Sequence, residues 1–223
     1  MTPMKRPQLV VLISGSGSNL QAFIDATKNG TLNADIAGVI SNKAGVLGLE
    51  RAENSGIATE VLDHRNFSDR ESFDQALADR IESYQPDLII LAGFMRILTS
   101  EFVDRFAGRI MNIHPSLLPK YPGLHTHQRA IEAGDSTAGA TVHFVTGELD
   151  GGPAIIQAEV PIFPTDDANT LANRILVQEH QIYPLAAQWF CEGKLTMKNS
   201  VPQLDEEPLP VSGFSFSHSE IEP

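Results

Sequence analysis

Apolar runs and helical patterns alternate along the first half of the chain. QLVVLIS (residues 8–14) reads as a strand, followed by a Gly/Ser loop and a helix from about Leu20 to Lys28. ADIAGVIS (34–41) is a second strand, GVLGLERAENSG a helix closed by Gly56, and ATEVLD a short third strand. The next helix, SDRESFDQALADRIESYQ, opens with Ser68 and carries Glu71 three residues on, the spacing of a capping box. Pro86 ends it, and PDLIILAG (86–93) has the unbroken apolarity of a strand buried on both faces. TSEFVDRFAG then reads as a short helix and RIMNIH as the next strand.

After residue 127 the rhythm changes. HQRAIEAGDS is a short helix, and ATVHFVT and PAIIQAEVPI flank GELDGG in a hairpin pattern. DANTLANRILVQEHQIYPLAAQWFCEGK is a long helix expected to kink or break at Pro184. The pattern predicts an α/β fold with a doubly wound, mostly parallel sheet, helices on both faces and an antiparallel hairpin in the C-terminal part. One domain is expected over residues 1–204, with 205–223 as an acidic, loosely ordered tail.

Composition narrows the function classes. The chain carries a net charge of −12, and Asp205, Glu206, Glu207, Glu220 and Glu222 place part of it in the tail. No basic patch is present to neutralise phosphates, which argues against nucleic acid as a partner. No run approaches the roughly 20 apolar residues that span a bilayer, so no membrane partner is expected. The first apolar stretch meets GSGSN without a small-residue cleavage site and reads as a strand, not a leader. A single cysteine, Cys191, excludes an internal disulfide and fits a reducing cytoplasm. Its place in QWFCEGK suits a packed thiol better than a nucleophile.

Ligands of open α/β sheets sit beyond the carboxyl ends of the strands, which singles out the loops 14–19, 93–98 and 114–127. SGSGSN stands between a strand and a helix. Its backbone N–H groups suit an anion, or it is a tight turn with Ser18 or Asn19 as N-cap. The dinucleotide fingerprint lacks its third glycine, since Leu20 stands there, and no Walker Gly-Lys-Ser/Thr follows. Asn112 and His114 lie two apart on one strand and share a face, where an amide and an imidazole can meet one developing oxyanion; equally, they can satisfy loop backbone. Pro115, Pro119 and Pro122 stiffen the loop that follows. A zinc site from His114, His125 and His127 lacks cysteine or carboxylate partners at ligand spacing. Asp150 in LDGG is explained by a hairpin turn, or by a carboxylate that holds a histidine tautomer. AGFMRIL (92–98) can wall a pocket for a flat apolar ligand, or simply enter a helix.

Together VLISGSGSNLQA, LAGFMRIL, NIHPSLLPKYPGLHTH, HFVTGELDGGP and QEHQIYP resemble the phosphoribosylglycinamide formyltransferases of purine biosynthesis, from about Gln8 to Lys198. The Asn-x-His plus Asp set is shared with a wider group of formyltetrahydrofolate enzymes. HPSLLPKYPGLHTH and the chain length mark this branch, because tRNA formyltransferases and deformylases carry extra domains.

The resemblance implies transfer of formyl from 10-formyltetrahydrofolate, a co-substrate, to the amine of 5-phosphoribosylglycinamide, with no metal. It implies Asn112, His114 and Asp150 as catalytic residues, His114 being tuned by Asp150. Gly17, Ser18, Asn19, Gln178 and Glu179 match the ribonucleotide side. Arg70, Met95, Arg96, Ile97, Leu98, Asn112, Thr146, Gly147, Glu148, Leu149 and Asp150 match the folate side. Small-molecule substrates are thus the expected partners, on a monomer or homodimer. The rival readings are a 10-formyltetrahydrofolate deformylase that passes the formyl group to water, a non-catalytic nucleotide or folate binder, and an NAD-dependent α/β enzyme.

Overall fold

The computed structural model describes residues 5–217. Eight strands form one sheet in the order β11-β7-β6-β5-β4-β1-β2-β3. They are β1 (Gln8–Ile13), β2 (Asp35–Ser41), β3 (Thr59–Val61), β4 (Leu88–Leu91), β5 (Ile110–His114), β6 (Thr137–Phe144), β7 (Ala154–Pro161) and β11 (Phe214–Phe216). Strands β3, β2, β1, β4 and β5 pair in parallel, whereas β6 is antiparallel to both β5 and β7. The parallel sheet and the antiparallel hairpin thus stand as the periodicity predicted.

The central strands are apolar at every position because both faces are covered. Leu9, Val11 and Ile13 of β1 pack with α1 (Ser18–Asn29) and α6 (Ala168–Cys191). Val10 and Leu12 face α3 (Arg70–Ser83) and α4 (Ser100–Arg105). Two shorter helices, α2 (Leu47–Glu53) and α5 (Thr126–Glu132), complete the layers. On α6 the fully buried Tyr183 places its hydroxyl 2.9 Å from the Leu91 carbonyl and 2.8 Å from that of Met111, tying the helix to the last residue of β4 and the second of β5. No helix among the described residues is long and apolar enough to cross a membrane.

Four expectations change. Helix α6 runs unbroken from Ala168 to Cys191 with Pro184 inside it; packing of its apolar face against the sheet outweighs the one hydrogen bond that proline removes. Asp69, not Ser68, caps α3, accepting from the Ser72 amide at 2.7 Å, since a carboxylate at that position also meets the positive end of the helix dipole. The GELDGG segment is not a tight two-residue turn, because β6 ends at Phe144 and β7 starts only at Ala154.

The tail is the fourth. Residues 205–217 are built into the fold: β10 (Glu207–Pro208) joins β9 (Val201–Leu204) and β8 (Leu195–Lys198) in a small antiparallel sheet. Strand β11 then pairs in parallel with β7, and the Phe214 ring meets Trp189 edge-on at 5.4 Å. Burying that aromatic pair and a row of backbone groups offsets the local charge. Glu220 and Glu222 lie outside the described residues.

Candidate active site

Sheet order reverses at β1, with β2 on one side and β4 on the other, which opens a crevice at the carboxyl ends of these strands. Ser14, just past β1, ties the surrounding loops together. Its hydroxyl donates to Asn42 Oδ1 at 2.6 Å and accepts the Met95 amide at 2.8 Å. One buried hydroxyl therefore fixes the loops after β1, β2 and β4, a role that only the folded arrangement exposes.

Gly17 precedes α1 with φ +70, and a Cβ there would lie 2.6 Å from the Gly48 Cα. Glycine is required on both counts. Ser18 and Asn19 therefore belong to the first helical turn and neither is the N-cap; their amides are among the donors a helix leaves unpaired. Asn19 Nδ2 donates to Glu179 Oε2 on α6 at 2.8 Å, bringing two predicted residues from opposite ends of the chain together. Burial pushes the Glu179 carboxyl above the usual range, with the Asn19 hydrogen bond pulling the other way. Asn19 Oδ1 is buried without a partner, and Gln178 beside Glu179 is buried too. A groove of about 560 Å³ behind α1 reaches Ser18, Arg51 and His180 but none of Asn112, His114 or Asp150.

At the end of β5, His114 is buried with both ring nitrogens facing acceptors. Nε2 donates to the Tyr121 carbonyl at 2.8 Å, and Nδ1 lies 3.5 Å from Asp150 Oδ2. Asp150 sits in the left-handed region at φ +51 and also accepts the Gly123 amide at 2.9 Å. Its carboxylate thus holds the proline-rich loop and the histidine at once. Asn112, half-buried two residues before His114, has its side-chain nitrogen 3.2 Å from His143 Nε2. Asn112, His114 and Asp150 are therefore assembled at one strand end.

Prolines are only part of what shapes residues 115–124. The Thr141 hydroxyl donates to the Ser116 carbonyl at 2.7 Å and accepts the Leu118 amide at 3.1 Å. Gln157 Nε2 reaches the Leu118 carbonyl at 2.8 Å, and the Leu118–Pro119 bond is cis. His125 occupies the N-cap of α5 with φ +58 and an exposed side chain. Burial, and then the charge of His114, holds the half-buried His127 below the usual histidine value. Among the described residues no group of three or more His, Cys, Asp or Glu side chains is arranged to hold a metal ion. Burial pushes the Cys191 thiol up to about 12, which keeps it protonated and unreactive.

The remaining predicted residues differ in exposure and partners. Met95, Ile97 and Leu149 are 65%, 57% and 57% exposed, apolar side chains open to solvent on the loops after β4 and β6. Arg96 lies over the Phe73 ring at 5.7 Å with its Nε buried and unpartnered. Leu98 is half-buried, while Thr146, Gly147, Glu148 and Arg70 are exposed.

The formyl transferase family model matches residues 7–187. Phosphoribosylglycinamide formyltransferase of Escherichia coli is 53% identical over 207 residues, which cover 93% of this chain and 98% of that protein. The human trifunctional purine biosynthetic protein adenosine-3 is 45% identical over 193 residues, 86% of this chain and 19% of its own length. The solved Coxiella burnetii phosphoribosylglycinamide formyltransferase superposes with a TM-score of 0.92 at 47% identity, covering 96% of this chain and all of that one. The chain belongs to the formyl transferase family, in the branch of the phosphoribosylglycinamide formyltransferases.

Proposed function

We propose that the protein transfers a formyl group from N10 of 10-formyltetrahydrofolate to the primary amine of 5-phosphoribosylglycinamide, a step of de novo purine biosynthesis. The observation that carries this reading is the meeting of Asn112, His114 and Asp150 at the carboxyl end of β5, beside the crevice formed by β1 and β4.

The ribonucleotide lies along the start of α1. Its phosphate faces the Gly17, Ser18 and Asn19 amides, where an anion also meets the helix dipole. Its remaining polar groups face Gln178 and Glu179 on α6, and a substrate donor would occupy the lone acceptor of Asn19. The folate lies in the opening beside Met95, Arg96, Ile97 and Leu98 and the loop Thr146–Asp150. Its flat ring covers the exposed apolar side chains, and the exposed Arg70 suits the negative glutamate tail.

In the reaction, the neutral amine attacks the formyl carbon, a C–N bond forms, and the carbonyl electron pair moves to oxygen. The second N–H of the Asn112 amide donates to that oxyanion. His114, with an acceptor on each nitrogen, adds positive charge, and Asp150 balances it. Loss of one such donor costs about 3–4 kcal/mol in other enzymes. The attacking nitrogen then gives up a proton, which reaches N10 through water as the oxyanion pair re-forms the carbonyl and the C–N10 bond breaks. Neither a covalent enzyme intermediate nor a metal step enters.

The test follows the absorbance change on loss of the folate formyl group while 5-phosphoribosylglycinamide is varied. Turnover should rise from background and saturate with the ribonucleotide. Folate turnover at full rate without it would replace this reading by the deformylase.

A further inference from the structure

His143 has no assigned role in the mechanism above, yet it is 2% exposed and stands directly opposite Asn112 in the β5–β6 pairing. Its Nδ1 lies 3.0 Å from the Phe144 carbonyl, which can only accept, so Nδ1 carries the proton. In the neutral ring Nε2 is then a lone-pair acceptor, and the group 3.2 Å away is the Asn112 amide nitrogen. Asn and Gln amides have two nearly isosteric orientations, and the hydrogen-bond network decides between them. An acceptor at this point leaves only one, with Nδ2 toward His143. Burial, the largest influence, keeps the ring below the usual histidine value, against the pull of the Phe144 carbonyl and Asp150.

The Phe144 carbonyl is itself held. The Phe144 amide donates to the Pro153 carbonyl at 3.1 Å, and a Cβ on Gly152 would overlap the Phe144 oxygen, so only glycine lets the chain pass there. The end of the loop that carries Asp150 is thereby packed against the group that sets the His143 tautomer.

We propose that His143 is a positioning residue for formyl transfer: as the Nδ1–H tautomer it accepts one N–H of Asn112 and so aims the other N–H at the formyl oxygen. The inference rests on the functional reading above, in which Asn112 is the oxyanion donor. His143 itself touches no reacting atom. Without its acceptor the Asn112 amide is free to turn, and the oxyanion then meets a carbonyl oxygen in a share of the encounters.

A double-mutant cycle tests this, with kcat, both KM values and thermal melting measured for every variant. His143→Phe, which removes the acceptor at similar size, should lower kcat about tenfold to a hundredfold and leave both KM values within about threefold. His143→Gln, whose Oε1 can accept the same N–H, should recover most of the loss and serves as the second probe should the Phe variant fold poorly. In an Asn112→Ala background both substitutions should change kcat by less than about twofold. Full kcat in His143→Phe, or losses that multiply with Asn112→Ala, would overturn the proposal. The ¹⁵N imidazole shifts of the wild-type protein supply a readout independent of turnover: the Nδ1–H tautomer is expected, and an Nε2–H or doubly protonated ring at neutral pH would contradict it. A wild type that leaves 5-phosphoribosylglycinamide unformylated would instead refute the functional reading, whatever tautomer the ring shows.

Discussion

Asp150→Asn perturbs one charge and little else. The Asp150 carboxylate lies 3.5 Å from His114 Nδ1 and takes the Gly123 amide at 2.9 Å. Asparagine tolerates the left-handed backbone at φ +51 and keeps an oxygen for Gly123. Two opposite unit charges at that separation attract by about 5 kcal/mol at an effective dielectric of ~20, equivalent to more than three decades in rate. The asparagine dipole retains part of this, so kcat should fall about 10²- to 10³-fold. KM for either substrate should move little, because the His114 charge that Asp150 supports acts on the oxyanion, which exists only in the transition state. Melting should shift by no more than a few degrees, since the Gly123 hydrogen bond survives, a change on the scale of about 1 kcal/mol. The assay is steady-state folate absorbance with both substrates varied, beside a melting curve. A kcat within about threefold of wild type in a protein that melts normally would refute the reasoning.

Glu179→Gln should stabilise the protein at neutral pH by about 1–3 kcal/mol, because it removes a buried carboxylate. Since burial raises the folded-state value of Glu179, its contribution is fully present below the ordinary glutamate value and is lost as pH rises through the raised one. The stability difference should therefore close on acidification in denaturant melts, while KM for the ribonucleotide rises; a constant difference across pH would contradict the burial argument. Tyr183→Phe leaves the Leu91 and Met111 carbonyls without their hydroxyl donor and should cost about 1–3 kcal/mol, read as a lower denaturation midpoint; an unchanged midpoint would count against it. Arg70→Ala should raise KM for the folate several-fold with little change in kcat, and the reverse pattern would remove Arg70 from the folate site. Deletion of residues 205–223 should lower the melting temperature by removing β11 and the Phe214–Trp189 contact, whereas an unchanged melt would show that strand to be dispensable.

What the sequence revealed follows from which signals are local. The alternating βα pattern, the buried runs LVVLI and LIIL and the β6–β7 hairpin depend on periodicity over a few residues, and they were legible. Capping was legible only to within one position, because Ser68 and Asp69 both suit an N-cap and the choice falls to whichever oxygen meets the Ser72 amide. The FSF of β11 alternates as a strand should, but it sits among prolines and acids, and its partner β7 lies more than fifty residues upstream. For the candidate site, the i, i+2 spacing showed that Asn112 and His114 share a face. It could not show which acceptors His114 meets, that Asp150 is carried on a long loop instead of a tight turn, or that His143 stands across from Asn112. Those facts depend on strand register. Ser14 was equally hidden, since nothing near it in the chain marks a serine that joins three loops.

The most direct test of the central claim follows the formyl carbon itself. With 10-formyltetrahydrofolate labelled by ¹³C in the formyl group, the account predicts that the label appears as the amide carbon of formylated 5-phosphoribosylglycinamide, in step with loss of the folate signal. Label recovered as free formate, with the ribonucleotide amine unmodified, would contradict it.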